Sequence, residues 1–111
     1  IFEFKEAVLT IHLPQELDHP QSDRIRKETD RIMSRAYIKK IIFDFENTEF
    51  MDSSGIGLIM GRYRALGMGQ KCIAAVNVDR YMDKLLHLSG VHRYMEIQKK
   101  IEEGGHYGKD E

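Results

Sequence analysis

The sequence predicts one small α/β domain built on a mixed sheet. Three observations lead there. Several short segments carry strand patterning, amphipathic helical segments of roughly ten to sixteen residues separate them, and turn-forming residues mark most boundaries. Strands joined through helices pair in parallel by right-handed crossovers, while an opening hairpin supplies an antiparallel pair. A chain of 111 residues is long enough for a single hydrophobic core and too short for two.

The segment "FKEAVLTIHL" alternates, with Leu9, Ile11 and Leu13 on one face, which is the period of a strand. A short partner at Phe2 to Phe4 joins it through a turn near Glu6. Pro14 closes the strand, and "PQELDHP" follows as a loop. From Ser22 to Ala36, the residues Ile25, Thr29, Ile32, Met33 and Ala36 share one arc of a helix, opened by Pro20. The run "YIKKIIFDF" is too apolar for a half-wet strand and belongs at the sheet centre.

The next helix starts near Ser53 to Gly55 and stops at Gly67 or Gly69. "KCIAAV" is a buried strand, and Asp79 caps a helix, "RYMDKLLHLS", that places Met82, Leu85, Leu86 and Ser89 on one face and ends at Gly90. A strand at Tyr94 to Ile97 and a helical turn or two from Gln98 to Glu103 complete the domain. The tail "GGHYGKDE", residues 104–111, reads as flexible and polar.

Composition narrows the function classes. The apolar share of 41% and charged share of 32% suit a soluble globular chain, and no apolar run approaches a membrane span. Basic and acidic residues number 17 and 18, leaving a net charge of -1 that attracts neither nucleic acid nor anionic lipid. The cluster Arg24, Arg26, Lys27, Arg31, Arg35, Lys39 and Lys40 is interleaved with Asp23, Glu28 and Asp30, as on a solvated helix face. The single cysteine, Cys72, excludes an internal disulfide, reads as a buried structural thiol and suits the cytoplasm. The chain starts at Ile1 without a methionine, which is compatible with trimming.

The chemistry concentrates in "FMDSSGIGLIMGRY", Phe50 to Tyr63. Loops after the C-terminal ends of parallel strands gather on one rim, so "PQELDHP" and "NTEFMDSSG" should be neighbours, bringing Asp18 and His19 toward Asp52, Ser53 and Ser54. One serine suffices to cap the helix. The other then lies exposed beside a helix N-terminus, a position that tolerates a phosphate. The residues alone leave open which of Ser53 and Ser54 takes which role.

Catalytic readings fit less well. "GIGLIMG" resembles a dinucleotide fingerprint, but its loop is too long and Asn77 stands where an acidic ribose partner belongs. "DSSGIG" lacks the first glycine of a nucleophile elbow, and of His12, His19, His87, His92 and His106 only His19 falls near the serines. No paired His or Cys spacing suggests a metal, so no cofactor or metal is expected. On the following helix, Ile56, Ile59, Met60, Tyr63 and Leu66 form the expected buried stripe. Leu58, Gly61 and Ala65, flanked by Gly57 and Arg62, form an opposite face that is either a docking patch or a site of close helix approach.

"ELDH" at Glu16 to His19, "FMDSSGIGLIMGRY" and "LLHLSGVHRYMEI" at Leu85 to Ile97 together resemble the STAS-domain anti-sigma factor antagonists. The resemblance runs from Ile1 to Glu103 and implies a single domain, a mixed, mostly parallel sheet of four to five strands with helices on one side. It also implies a partner switch rather than an enzyme. The unphosphorylated antagonist would bind an anti-sigma factor with serine kinase activity and free a sigma factor. Phosphorylation of Ser53 would end the binding, and a PP2C-type phosphatase would restore it. Asp52, Ser54 and Gly55 would shape the acceptor loop, with Asp18 contributing to recognition. The expected partner surface comprises Asp18, His19, Asp52, Ser53, Ser54, Gly55, Gly57, Leu58, Gly61 and Arg62, on a protein that is monomeric when free and contacts neither membrane nor nucleic acid. The sequence departs from the family pattern at Gln15, where glycine is common, and at Pro20. A ligand-sensing module that binds a nucleotide or lipid on the same rim is the alternative.

Overall fold

The computed structural model describes residues 1–101; the expected tail at 104–111 and the end of the expected last helix lie outside the described residues. The chain opens with β1 (Phe2–Lys5) and β2 (Val8–His12), an antiparallel hairpin in which Lys5 faces Val8 across a two-residue turn. Glu6 and Ala7 both adopt positive φ, 52° and 67°, the handedness that matches the twist of a tight hairpin. Next come β3 (Glu16–Leu17), α1 (His19–Met33), β4 (Lys40–Asp44), β5 (Phe50–Met51) and α2 (Ser53–Ala65). The chain finishes with β6 (Ile73–Val78), α3 (Arg80–Ser89), a 3-10 turn (Val91–Tyr94) and β7 (Glu96–Lys99).

The main sheet has the order β1-β2-β4-β6-β7, parallel from β2 onward. Each crossover steps one strand in the same direction, so right-handed connections place α1, α2 and α3 on one face. The consequence shows in β4, the central strand: Ile41 and Phe43 are fully buried beneath the helices, while Ile42 on the other face is only half-buried. The run that looked too apolar for a half-wet strand is thus covered on one side only. The core joins Leu9, Ile11, Phe43, Ile59, Ile73, Met82 and Leu86 between sheet and helices.

Boundaries differ from the sequence reading where side-chain chemistry sets them. Helix α1 begins at His19 rather than Ser22, because the Asp18 carboxylate accepts from the Gln21 N–H at 3.1 Å and Pro20 fits the first turn. It ends at Met33 rather than Ala36, with Ser34 at the cap. Helix α2 gives way after Ala65 to Gly67, whose φ of 87° is the left-handed conformation expected there. Ser89 on α3 is exposed, not part of its buried face. Tyr94 lies in the 3-10 turn, and Gln98 and Lys99 extend β7 instead of starting a helix. Main-chain pairing with β6 explains the change, since edge-strand pairing outweighs the weak helical preference of a short polar run.

Candidate functional site

The two loops at the rim contain a second, two-stranded sheet. Strands β3 and β5 pair in parallel, Glu16 opposite Phe50 and Leu17 opposite Met51. Around this ladder the Gln15 carbonyl accepts from the N–H groups of Glu49 (2.8 Å) and Phe50 (3.1 Å), and the Thr48 hydroxyl donates to the Pro14 carbonyl at 2.9 Å. Gln15 takes no positive φ, so the absence of glycine there is accommodated without strain. The Leu17 and Met51 side chains are buried and anchor the ladder to the core.

Each strand runs straight into a helix, and each helix is capped by the aspartate that follows its strand. Asp18 caps α1, and the Asp52 carboxylate accepts from the Ser54 N–H at 2.8 Å to cap α2. The expectation that a serine caps α2 is therefore corrected. Asp52 sits in extended conformation one residue before the helix, where its oxygen reaches an otherwise unpaired N–H, whereas both serines are already helical. Ser53 is at the first helical position and exposed. Ser54 follows it, half-buried, with its hydroxyl 3.2 Å from His19 Nδ1. The rim thus brings Asp18, His19, Asp52, Ser53 and Ser54 together, as their order on parallel strands predicted.

Gly55 is a packing residue. A Cβ there would lie 2.5 Å from Met51 Cγ and 2.9 Å from Leu17 Cδ2, so the absence of a side chain lets α2 start directly over the β3–β5 ladder. At Gly57 and Gly61 a Cβ would meet nothing within 4 Å. Close helix approach does not account for those two glycines.

The buried stripe of α2 is rotated from the expected one. Gly55, Leu58, Ile59 and Arg62 are buried, while Ile56, Met60, Tyr63 and Leu66 are half-buried. Arg62 accordingly does not belong to an exposed partner surface, and Leu58 shows only an edge. Both turn toward α1, where Arg62 Nη1 donates to Thr29 Oγ1 (3.0 Å) and Asp30 Oδ1 (2.6 Å). The face left open carries Ser53, Gly57, Gly61, Arg64 and Ala65, continuous with the serine pair.

A groove of about 290 Å³ runs between α1 and α2, starting at His19 and Ser54. Ser22, Asp23 and Arg26 of α1 line it, and sequence reasoning passed over all three because Asp23 and Arg26 read as part of a charged helix face and Ser22 as the helix start. The spacing of Ser22 and Arg26, one helical turn apart and flanking Ile25, was the available signal. Exposed Phe50, at the start of β5 and close in sequence to the serines, was also missed, though an apolar residue next to "MDSS" stands out. Among the described residues no group of three or more His, Cys, Asp or Glu is placed to hold a metal ion, and no helix is long and apolar enough to cross a membrane.

The model of the STAS domain matches residues 1–104. An anti-sigma F factor antagonist of Paenibacillus polymyxa is 36% identical over 95 residues, covering 86% of this chain and 81% of the relative. Another, from Lysinibacillus sphaericus, is 34% identical and covers 82% of this chain and 77% of the relative. Among solved structures, the unphosphorylated anti-sigma factor antagonist SpoIIAA superposes with a TM-score of 0.71 at 29% identity, covering 94% of this chain and 91% of that one. The phosphorylated form of the Bacillus cell fate determinant SpoIIAA gives 0.69 at 31% identity, covering 90% and 91%. With a family match over nearly its whole length and a rim that joins "ELDH" to "MDSSG", the chain belongs to the STAS-domain family.

Proposed function

We propose that the protein is an anti-sigma factor antagonist that acts by partner switching in the cytoplasm. Unphosphorylated, it binds an anti-sigma factor that is also a serine kinase, and so releases a sigma factor. The kinase phosphorylates Ser53, the antagonist dissociates, and a PP2C-type phosphatase resets it. The protein is a substrate and a binder, with the catalytic groups on its partners.

The observation that carries this reading is the exposure of Ser53 at the first position of α2, on the open face that continues through Gly57 and Gly61. The likeness to a protein solved in both unphosphorylated and phosphorylated forms supports it. Physical chemistry supports it too. A phosphate brings about -1.5 to -2 charges, here beside Asp52 and near Asp18 and Glu16. A partner that buries this rim would desolvate that charge, and a loss of about 3 kcal/mol already weakens binding over a hundredfold.

Incubation with the cognate anti-sigma factor and Mg-ATP, followed by intact mass and peptide mapping, tests the proposal. One added phosphate on Ser53 is expected. Ser53→Ala should retain binding to the anti-sigma factor and Ser53→Asp should lose it. A phosphate mapped elsewhere, or equal affinity of the two variants, would refute the switch.

A further inference from the structure

Ser22, which lines the groove between α1 and α2, has an enclosed polar atom with an unmet hydrogen bond. Ser22 is 5% exposed, and its hydroxyl oxygen has no hydrogen-bonding partner within the structure. A helical serine usually returns its hydroxyl to a backbone carbonyl of the preceding turn, as Ser34 and Ser89 do here with Arg31 and Leu86. Ser22 does not. Leaving a buried hydroxyl unpaired is unfavourable, and such groups in native folds call for an explanation.

The surroundings of that hydroxyl define what could meet it. Leu58, almost fully buried, supplies apolar surface, and at Gly57 no side chain fills the space above the helix. The charges beside it already satisfy one another. Arg26 Nη2 donates to Asp23 Oδ1 at 2.6 Å, which holds the Asp23 carboxyl below its usual range. An ionised head entering the groove would find no uncompensated opposite charge to offset its lost hydration. A neutral hydrogen-bonding group loses less on desolvation and can pair with Ser22.

We propose that this groove is a socket for one neutral, hydrogen-bonding side chain of the anti-sigma factor, an amide or hydroxyl on an apolar stem, and that Ser22 is its specificity-determining contact. This rests on the partner assigned under the proposed function. The groove begins at His19 and Ser54, so a partner seated over Ser53 reaches it without a change of fold, and a rotation of the Ser22 side chain would turn its enclosed hydroxyl toward the incoming group. Phosphorylation at Ser53 and occupancy of the socket then act on one docking event from adjacent positions.

Titration calorimetry of the full chain against the purified cognate anti-sigma factor, paired with thermal melts, tests this. Ser22→Ala should weaken binding about three- to tenfold, the loss expected for one neutral hydrogen bond. It should leave the melting temperature unchanged or raised, because an unpaired buried hydroxyl disappears. Gly57→Gln, which places a side chain in the open space, should weaken binding more than tenfold with the melt preserved. Unchanged affinity in both variants, with Ser53→Asp still abolishing binding, overturns the socket and leaves the switch intact. If the wild-type protein does not bind the anti-sigma factor at all, both fall. Concentration-dependent amide shifts at Ser22 and Leu58 in the protein alone would assign the groove to a second copy of this chain and equally overturn the proposal.

Discussion

Asp18 and Asp52 are paired caps: the residues before them, Leu17 and Met51, lie opposite each other in parallel register, and each aspartate starts a helix. The Asp52 N–H donates to the Leu17 carbonyl at 3.3 Å, so the two helix starts are tied through backbone as well as through the ladder. Ser53, the proposed acceptor, is thereby held at the start of a helix rather than on a free loop. That geometry generates a stability prediction.

Asp52→Ala removes the side-chain oxygen from the Ser54 N–H and should cost about 1 kcal/mol, read as a lower urea midpoint with unchanged slope. Asp52→Asn keeps an oxygen at the same place and should recover most of that loss. If Asn and Ala are equally unstable, the carboxylate acts through charge and not as a cap.

The three glycines of α2 should separate. Gly55→Ala forces Met51 and Leu17 aside and should destabilise by roughly 1–3 kcal/mol. Gly57→Ala and Gly61→Ala add a Cβ in open space and should stabilise by up to about 1 kcal/mol each through helix propensity. Gly61→Glu should leave the melt nearly unchanged while weakening binding to the anti-sigma factor in the same titration. A large loss of stability there would place Gly61 against a neighbouring element.

Arg62 links α1 and α2 from a buried position, yet its Nε finds no partner and Asp30 is half-exposed. A buried charge with incomplete pairing adds little net stability, so Arg62→Met, similar in length and apolar, should change stability by less than about 1.5 kcal/mol. Partner affinity should be unchanged, because the guanidinium is turned inward. Chemical denaturation and calorimetry on the one variant check both statements.

On the helix-free face of the sheet, His12 lies between Glu3 Oε1 (2.6 Å) and Asp44 Oδ2 (2.8 Å). Hydrogen bonds to Glu3 first and Asp44 second raise its pKa above 6.5. Partial burial works to raise the pKa of Asp44, but hydrogen bonds from Asn77, the Glu46 N–H and His12 together hold it below 3.8. The signs follow from linkage. A raised imidazolium stabilises the fold fully below 6.5, and that contribution is lost as pH rises through the folded-state value; the depressed carboxylate contributes above 3.8 and loses its contribution as pH falls through its own. Melts of wild type and His12→Gln between about pH 5.5 and 8.5 should therefore converge as pH rises. Parallel curves would show that the histidine does not titrate in this window.

Much of the fold was legible because periodicity reports local burial. The alternation of Leu9, Ile11 and Leu13, the apolar run at Ile41 to Phe45 and the capping pattern at Asp79 each name an element without its neighbours. The orientation of α2 was not legible. Its buried arc is set by two neighbours, the sheet beneath and α1 beside it, so Leu58 and Arg62 turn inward although a single-stripe reading leaves them out. The 3-10 turn at Val91–Tyr94 and the strand at Glu96–Lys99 likewise depend on the edge that β6 offers.

The sequence by itself determined the α/β class and the proximity of the two rim loops, since these follow from hydrophobic period and from the order of elements along the chain; the choice of Ser53 over Ser54 came from the likeness of its motif to the STAS-domain antagonists. The tertiary structure decided which group caps α2, why Gly55 carries no side chain and where Ser22 is left unpaired. Those depend on distances between residues far apart in sequence, such as Leu17 to Gly55 and Asp30 to Arg62, and only packing fixes them.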